Sequence, residues 1–382
     1  MNSGKQTTPP PARSHFGHRR STVFPYGIEL AKILHAVDSH FLRAIGSLML
    51  RAALLFTILL SGCGVGNVQH ASVSARTLAR LEEQAVTAED AETMLRGDRL
   101  ATSSSPTTDV LRVPMIRDHA GLPMIEAQLN DHTEEVLFDT GSTVTVLDSE
   151  LALDSETATV PDVKPQMLGV MGNEGGMGGI IERLGIESWT VANLPCIIRL
   201  QRSSAGFRFL RNHFAISVLG FDVAHKHCSY LTLDYPKCVF EFGFKKSFSG
   251  PTSSHRAKGS FLIKNGVPMA RVRSGAVTWE AIVDTGSSFG IEIDQKTAQR
   301  LGQATGGEVI ASDFVMVGVG GAVTAQQAGL RVIKVPELAA LGSTFKDARI
   351  DVMPGPARIG SFFLQDYRVT FDFRRRVIWL EW

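Results

Sequence analysis

The sequence predicts an all-β protein made of two similar halves. Three observations carry that reading. A block of landmarks recurs in the same order, short segments rich in Val, Ile and Phe alternate with turn residues, and helical spacing is confined to brief stretches. Glycine and proline, 36 and 16 among 382 residues, are spread along the chain as many turns between short strands require.

Length and charge narrow the class. A chain of 382 residues is too long for one ordinary core and fits two domains plus extras. Lys and Arg number 39 against 38 Asp and Glu, so the basic surplus of a nucleic-acid binder is missing. Apolar residues at 44% exclude an acidic disordered chain. The longest apolar candidate, residues 48–60, is 13 residues long and too short to span a bilayer. Four cysteines without CxxC spacing make neither a disulfide scaffold nor a zinc ribbon.

Residues 1–48 are polar, basic and irregular, with three consecutive prolines at Pro9, Pro10 and Pro11. They are read as unstructured, or as lying ahead of a true start at Met49. Residues 49–63 have the anatomy of a secretory signal: Arg51, an apolar stretch over 52–60, then small residues before Cys63. Leu60-Ser61-Gly62-Cys63 resembles the lipobox of bacterial lipoproteins, which implies a lipid on Cys63 and a membrane anchor. Gly64 rather than Asp follows it, which by the same resemblance favours the outer membrane, on its periplasmic face. Residues 64–109 are expected to be a tether. Leu78, Leu81, Ala85, Ala88, Met94 and Leu95 have helix-like spacing with a weak apolar face, and a Ser/Thr/Pro linker over 102–108 follows.

The remainder is the repeat. Val136-Leu137-Phe138-Asp139-Thr140-Gly141-Ser142 recurs as Ala281-Ile282-Val283-Asp284-Thr285-Gly286-Ser287, with the two Asp 145 residues apart. Gly121-Leu122-Pro123-Met124 and Gly266-Val267-Pro268-Met269 precede them, each Pro 16 residues before its Asp. Gly-rich stretches begin 30 residues after Asp139 and 34 after Asp284. Each copy then reaches an apolar-Gly step, Leu219-Gly220 and Ile359-Gly360, and closes in a predicted hairpin. The copies are placed at 110–249 and 258–382, joined by 250–257. In the second, Asp294 is the expected N-cap of a short helix.

Apolar residues before an Asp end a buried strand, and a following Gly permits a tight turn. Two such sites related by a repeat imply carboxylates brought face to face. At about 3 Å they cannot both ionise and therefore share one proton. The ionised member can then activate a water while the protonated member donates to a carbonyl oxygen.

These motifs resemble the retropepsin-like aspartic proteases, here as two retropepsin/pepsin-like lobes in one chain with the active site at their interface. The resemblance covers roughly the last 70% of the sequence. It implies an aspartic endopeptidase with Asp139 and Asp284 as the catalytic pair. It implies that Thr140 and Thr285 grip across the interface, that Gly141 and Gly286 shape the turns, and that Ser142 and Ser287 orient the outer carboxylate oxygens. Met171, Gly172, Asn173 and Gly175 in one copy, and Val319, Gly320 and Gly321 in the other, would belong to flaps over an extended polypeptide substrate. No metal or cofactor is required, nucleic acid is not a partner, and one chain supplies both half-sites, so a monomer is expected.

The pepsin branch keeps a Tyr in its flap. The four tyrosines here, Tyr26, Tyr230, Tyr235 and Tyr367, all lie outside the Gly-rich stretches, which places the chain nearer the retroviral branch. The two flaps differ in length and sequence, which implies asymmetric closure. Rival chemistry fares poorly. The Gly-rich stretches lack the Lys-Ser/Thr of a phosphate loop, and no Gly-x-Ser-x-Gly elbow is present. His225-Lys226-His227-Cys228 reads as a polar loop before a strand rather than a metal site. Among Cys196, Cys228 and Cys238 any one disulfide is left open. The other reading of the whole is a catalytically silent envelope lipoprotein that binds peptide in its groove.

Overall fold

The strand that ends in each Asp sits in the same ladder in both copies. In the first, Pro123–Leu129 pairs antiparallel with His132–Asp139, which runs parallel to Val218–Gly220, itself antiparallel to Thr145–Asp148. In the second, Val267–Ser274 pairs with Val277–Asp284, which runs parallel to Arg358–Gly360, itself antiparallel to Ile291–Ile293. Asp139 lies beside Gly220 and Asp284 beside Gly360. The structure, a computed structural model, describes residues 71–97, 108–118, 120–169, 172–202, 217–305, 309–311, 315–318, 321–324 and 331–382. Residues 49–63, read as a signal and lipobox with Cys63, and residues 102–107, read as a linker, lie outside them. The described chain is mostly β, as the alternation requires.

Local chemistry accounts for the element boundaries. Asn265 and Gly266 take φ of 51° and 80°, the left-handed pair that turns one strand back on the next as a two-residue hairpin. Asp294 caps the helix Gln295–Thr305 by accepting the Thr297 N–H at 2.7 Å. Asp148 does the same for Ser149–Asp154.

The two closing hairpins do not stay in their own copies. Tyr230–Asp234 pairs with Arg368–Asp372, so six strands lie side by side: Arg256–Lys264, Val377–Glu381, Arg368–Asp372, Tyr230–Asp234, Val239–Gly243 and Val110–Pro114. At the centre, Thr232 faces Thr370 with hydroxyls 2.8 Å apart, both fully buried. Arg368 reaches Glu381 at 2.6 Å and stands within 3.6 Å of Asp234 and Glu241, tying four strands. Phe138, one residue before Asp139, packs on Phe240 and Phe242 of this sheet at ring separations of 5.5 and 6.0 Å. Each such buried ring contributes about 1.5 to 3 kcal/mol, so the strand carrying Asp139 is held rigidly from below.

One expectation is corrected, and two open points are given detail. The segment read as a tether forms two helices, Ala75–Glu83 and Ala88–Gly97, broken where Thr87 takes the Asp90 N–H on its hydroxyl at 3.0 Å. It is built into the fold: Leu81 is fully buried in the main core, and Val86 and Gln84 exchange backbone hydrogen bonds with Thr159. His225, Lys226 and His227 are not a loop but the last turn of the helix Phe221–His227, where His225 stacks on Phe221 and His227 packs near Trp189. Apolar packing of Phe221, Val223 and Ala224 outweighs the polar run that follows them. Finally, Cys196, Cys228 and Cys238 are all free thiols. Burial pushes the Cys196 and Cys228 thiols far up.

Candidate active site

Two tight turns meet. The Thr140 N–H donates to Thr285 Oγ1 and the Thr285 N–H donates to Thr140 Oγ1, both at 3.0 Å. The Thr140 hydroxyl donates to the Val283 carbonyl and the Thr285 hydroxyl to the Phe138 carbonyl, both at 2.6 Å. Both Thr are fully buried. The carbonyls used belong to the residues just before the two Asp, so this network sets the ends of both strands.

The Asp side chains are placed with the same reciprocity. A Cβ on Gly141 would stand 2.4 Å from the carboxyl carbon of Asp284, and a Cβ on Gly286 would stand 2.4 Å from that of Asp139. Each turn thus gives up its side chain so that the other carboxylate can close in. Asp139 Oδ1 accepts the Gly141 N–H at 2.7 Å. Asp284 Oδ1 accepts the Gly286 N–H at 2.9 Å and the Ser287 N–H at 3.1 Å. The Asp139 carboxyl is pushed well above the ordinary carboxylate range, first by burial, then by the charge of Asp284 and a hydrogen bond to its carboxyl. Such a pair can hold one proton and polarise a water.

The serines take other roles than expected. The Ser142 hydroxyl donates to the Val144 carbonyl at 2.7 Å, and the Ser287 hydroxyl bonds Glu292. Each hydroxyl is thus spent on an acceptor a few residues along the chain, Val144 in the following turn and Glu292 in the next strand.

The Gly-rich stretches are hairpins of unequal anchorage. Gly172, Asn173 and Gly175 lie on the long strand Gly172–Ile186, paired with Gln166–Gly169. Between Asn173 and Gly175, Glu174 is fully buried and bonds Arg199 in bidentate fashion at 2.9 and 2.7 Å. Gly321 begins Gly321–Thr324, which pairs with Val315–Gly318 as a separate two-stranded sheet. Met171, Val319 and Gly320 lie outside the described residues.

Two site residues escaped the sequence reading. Arg358 stands with Nε 3.0 Å from Asp284 Oδ2 and Nη1 3.1 Å from Glu292 Oε2. Their side chains are 7% and 1% exposed. Burial pushes Glu292 up to about 7 despite the opposing pull of Arg358. A signal existed. Arg358 precedes its Gly by two residues, as Val218 does in the first copy, and each pairs across its ladder with Glu292 or Val146 respectively. Two charges stand where the other copy keeps two valines.

Among the described residues no group of three or more His, Cys, Asp or Glu side chains is set to hold a metal ion, and no helix is long and apolar enough to cross a membrane. No family model and no curated protein matches the chain.

Proposed function

We propose that the chain is an aspartic endopeptidase with two retropepsin-like lobes, 110–249 and 258–382, that hydrolyses polypeptides at the Asp139/Asp284 pair. The observation that carries the reading is the reciprocal site: each Asp enters the space left by the glycine of the other turn, over the crossed Thr140 and Thr285 hydrogen bonds. Such a pair shares one proton, and the shared proton is what lets one carboxyl act as acid while the other acts as base. The proposal includes a monomer that needs no metal or cofactor, carried in a bacterial envelope by a lipid on Cys63.

One observation favours a second reading, a peptide-binding lipoprotein that does not cut. Arg358 engages Asp284 Oδ2, an oxygen that a catalytic water would use. The test takes the full chain in detergent with a diverse peptide library from pH 3 to pH 8, beside Asp139→Asn and Asp284→Asn. Cuts made by the wild type and absent from both variants support the protease. A folded protein that makes no cut at any pH, yet melts higher with a pepstatin-like inhibitor, supports the binder.

A further inference from the structure

The two carboxyls of the pair are not equally supported. The Asp284 carboxylate collects two backbone N–H groups and the guanidinium of Arg358. The Asp139 carboxyl has the Gly141 N–H and its bond to Asp284. A proton shared between two carboxyls rests on the one whose anion is held less well. Arg358 is itself held from behind by Glu292, whose other oxygen takes the Ser287 hydroxyl. The first copy has Val218 and Val146 in these places, so the bias is built into one side only.

We infer that Arg358 is a positioning residue that holds Asp284 as the anion, leaves the shared proton on Asp139, and is tuned in this by Glu292. The inference deepens the protease reading and rests on it for its chemical meaning. The roles then follow. Asp284 takes a proton from the water as the water oxygen bonds to the substrate carbonyl carbon. The carbonyl π pair moves to its oxygen, which receives the proton of Asp139. On collapse, Asp284 gives its proton to the leaving nitrogen, the C–N bond breaks, and a hydroxyl proton of the diol returns to Asp139. The upward displacement of Asp139, caused first by burial and then by Asp284, agrees with this assignment and outweighs the smaller downward pull of the Arg358 charge on it.

Other groups face the same floor. Asp351, beside Glu292 in the adjoining strand, is pushed up to about 6 by burial and faces Arg349. Tyr235, whose hydroxyl bonds Ser361 Oγ at 3.0 Å, is pushed up by burial and lies under Arg117. Among the described residues Arg358 is the cation that bonds a carboxylate of the pair.

The test reads protons directly. In protein carrying 13C-labelled aspartate, the Asp139 and Asp284 carboxyl signals, assigned with the Asn variants, are titrated by NMR. In the wild type Asp139 is expected to keep its proton to the higher of the two midpoints. In Arg358→Met the gap between the two midpoints is expected to shrink by about one pH unit, a tenfold change in relative proton affinity, and Arg358→Lys is expected to restore most of it. Arg358→Val with Glu292→Val copies the first half and keeps the test open if the single change does not fold; it too should shrink the gap. In kcat/KM profiles both limbs move to higher pH in Arg358→Met. In Glu292→Gln the acid limb stays in place, because Glu292 already carries its proton there, and the alkaline limb moves down only where Glu292 would ionise, above about pH 7, and would then oppose Arg358. An unchanged gap in folded Arg358 variants overturns the inference even if peptides are cut. A gap that collapses in a protein that cuts nothing upholds the charge assignment and removes the protease reading instead.

Discussion

Thr140 and Thr285 are each the other's donor and acceptor: each N–H meets the opposite hydroxyl at 3.0 Å, and each hydroxyl meets the carbonyl before the opposite Asp at 2.6 Å. Removing one hydroxyl therefore strands a buried N–H and a buried carbonyl together. Thr285→Val is expected to lower stability by about 2 to 4 kcal/mol, measured by urea unfolding. Thr285→Ser keeps both bonds and is expected to cost under about 1 kcal/mol.

Gly141→Ala and Gly286→Ala each force a carboxyl out of its place, since the added carbon would lie 2.4 Å from it. On the proposed protease function, cleavage by either variant is expected to fall at least about 100-fold, the usual cost of misplacing a reacting group by an ångström. Melting temperatures should separate them. Gly141→Ala displaces Asp284, pinned by Arg358, and should destabilise more than Gly286→Ala, which displaces the less tethered Asp139.

Leu81 belongs to the core although it lies far ahead of the first repeat landmark. Leu81→Ala is expected to cost about 2 to 5 kcal/mol in chemical denaturation. A chain trimmed to begin at Thr108 should express poorly or aggregate. Unchanged unfolding of either would show that the helices only rest on the surface.

Glu292 ties stability to pH. Its ordinary value of 4.5 is raised to about 7 in the folded chain, chiefly by burial. Between those values the folded state keeps a proton that the unfolded state has lost. The stability this group contributes is therefore complete below the lower value and lost as pH rises through the higher one. Relative to Glu292→Gln, the wild type should lose up to about 3 kcal/mol between pH 4 and pH 8. A difference that stays flat across that range would contradict the assignment.

Much of the site is written in the residues themselves. Asp-Thr-Gly-Ser twice, each after apolar residues and each before an apolar-Gly step, specifies two strand ends and two tight turns, and the ladders repeat accordingly. The rest depends on what meets what. Alternation marks Tyr230–Asp234 and Arg368–Asp372 as strands but does not say that they pair with each other. The weak apolar face of Ala75–Glu83 reads alike for a spacer and for a helix that sinks one Leu into a core. The Ser142 and Ser287 hydroxyls chose acceptors a few residues away, which composition does not reveal. Arg358 and Glu292 were visible in principle, because a charge in a strand as apolar as Ile291–Ile293 asks for a counter-charge.

The shared sheet also bears on how the chain comes to be made. Thr232 must wait for Thr370, 138 residues later, before its strand has a neighbour on that side. While those residues are still being synthesised, Tyr230–Asp234 presents an open edge of backbone donors and acceptors. The first half is thus denied its finished form until the second arrives. A nascent chain in that condition is open to mispairing with other strands, which a holdase covering the edge would prevent.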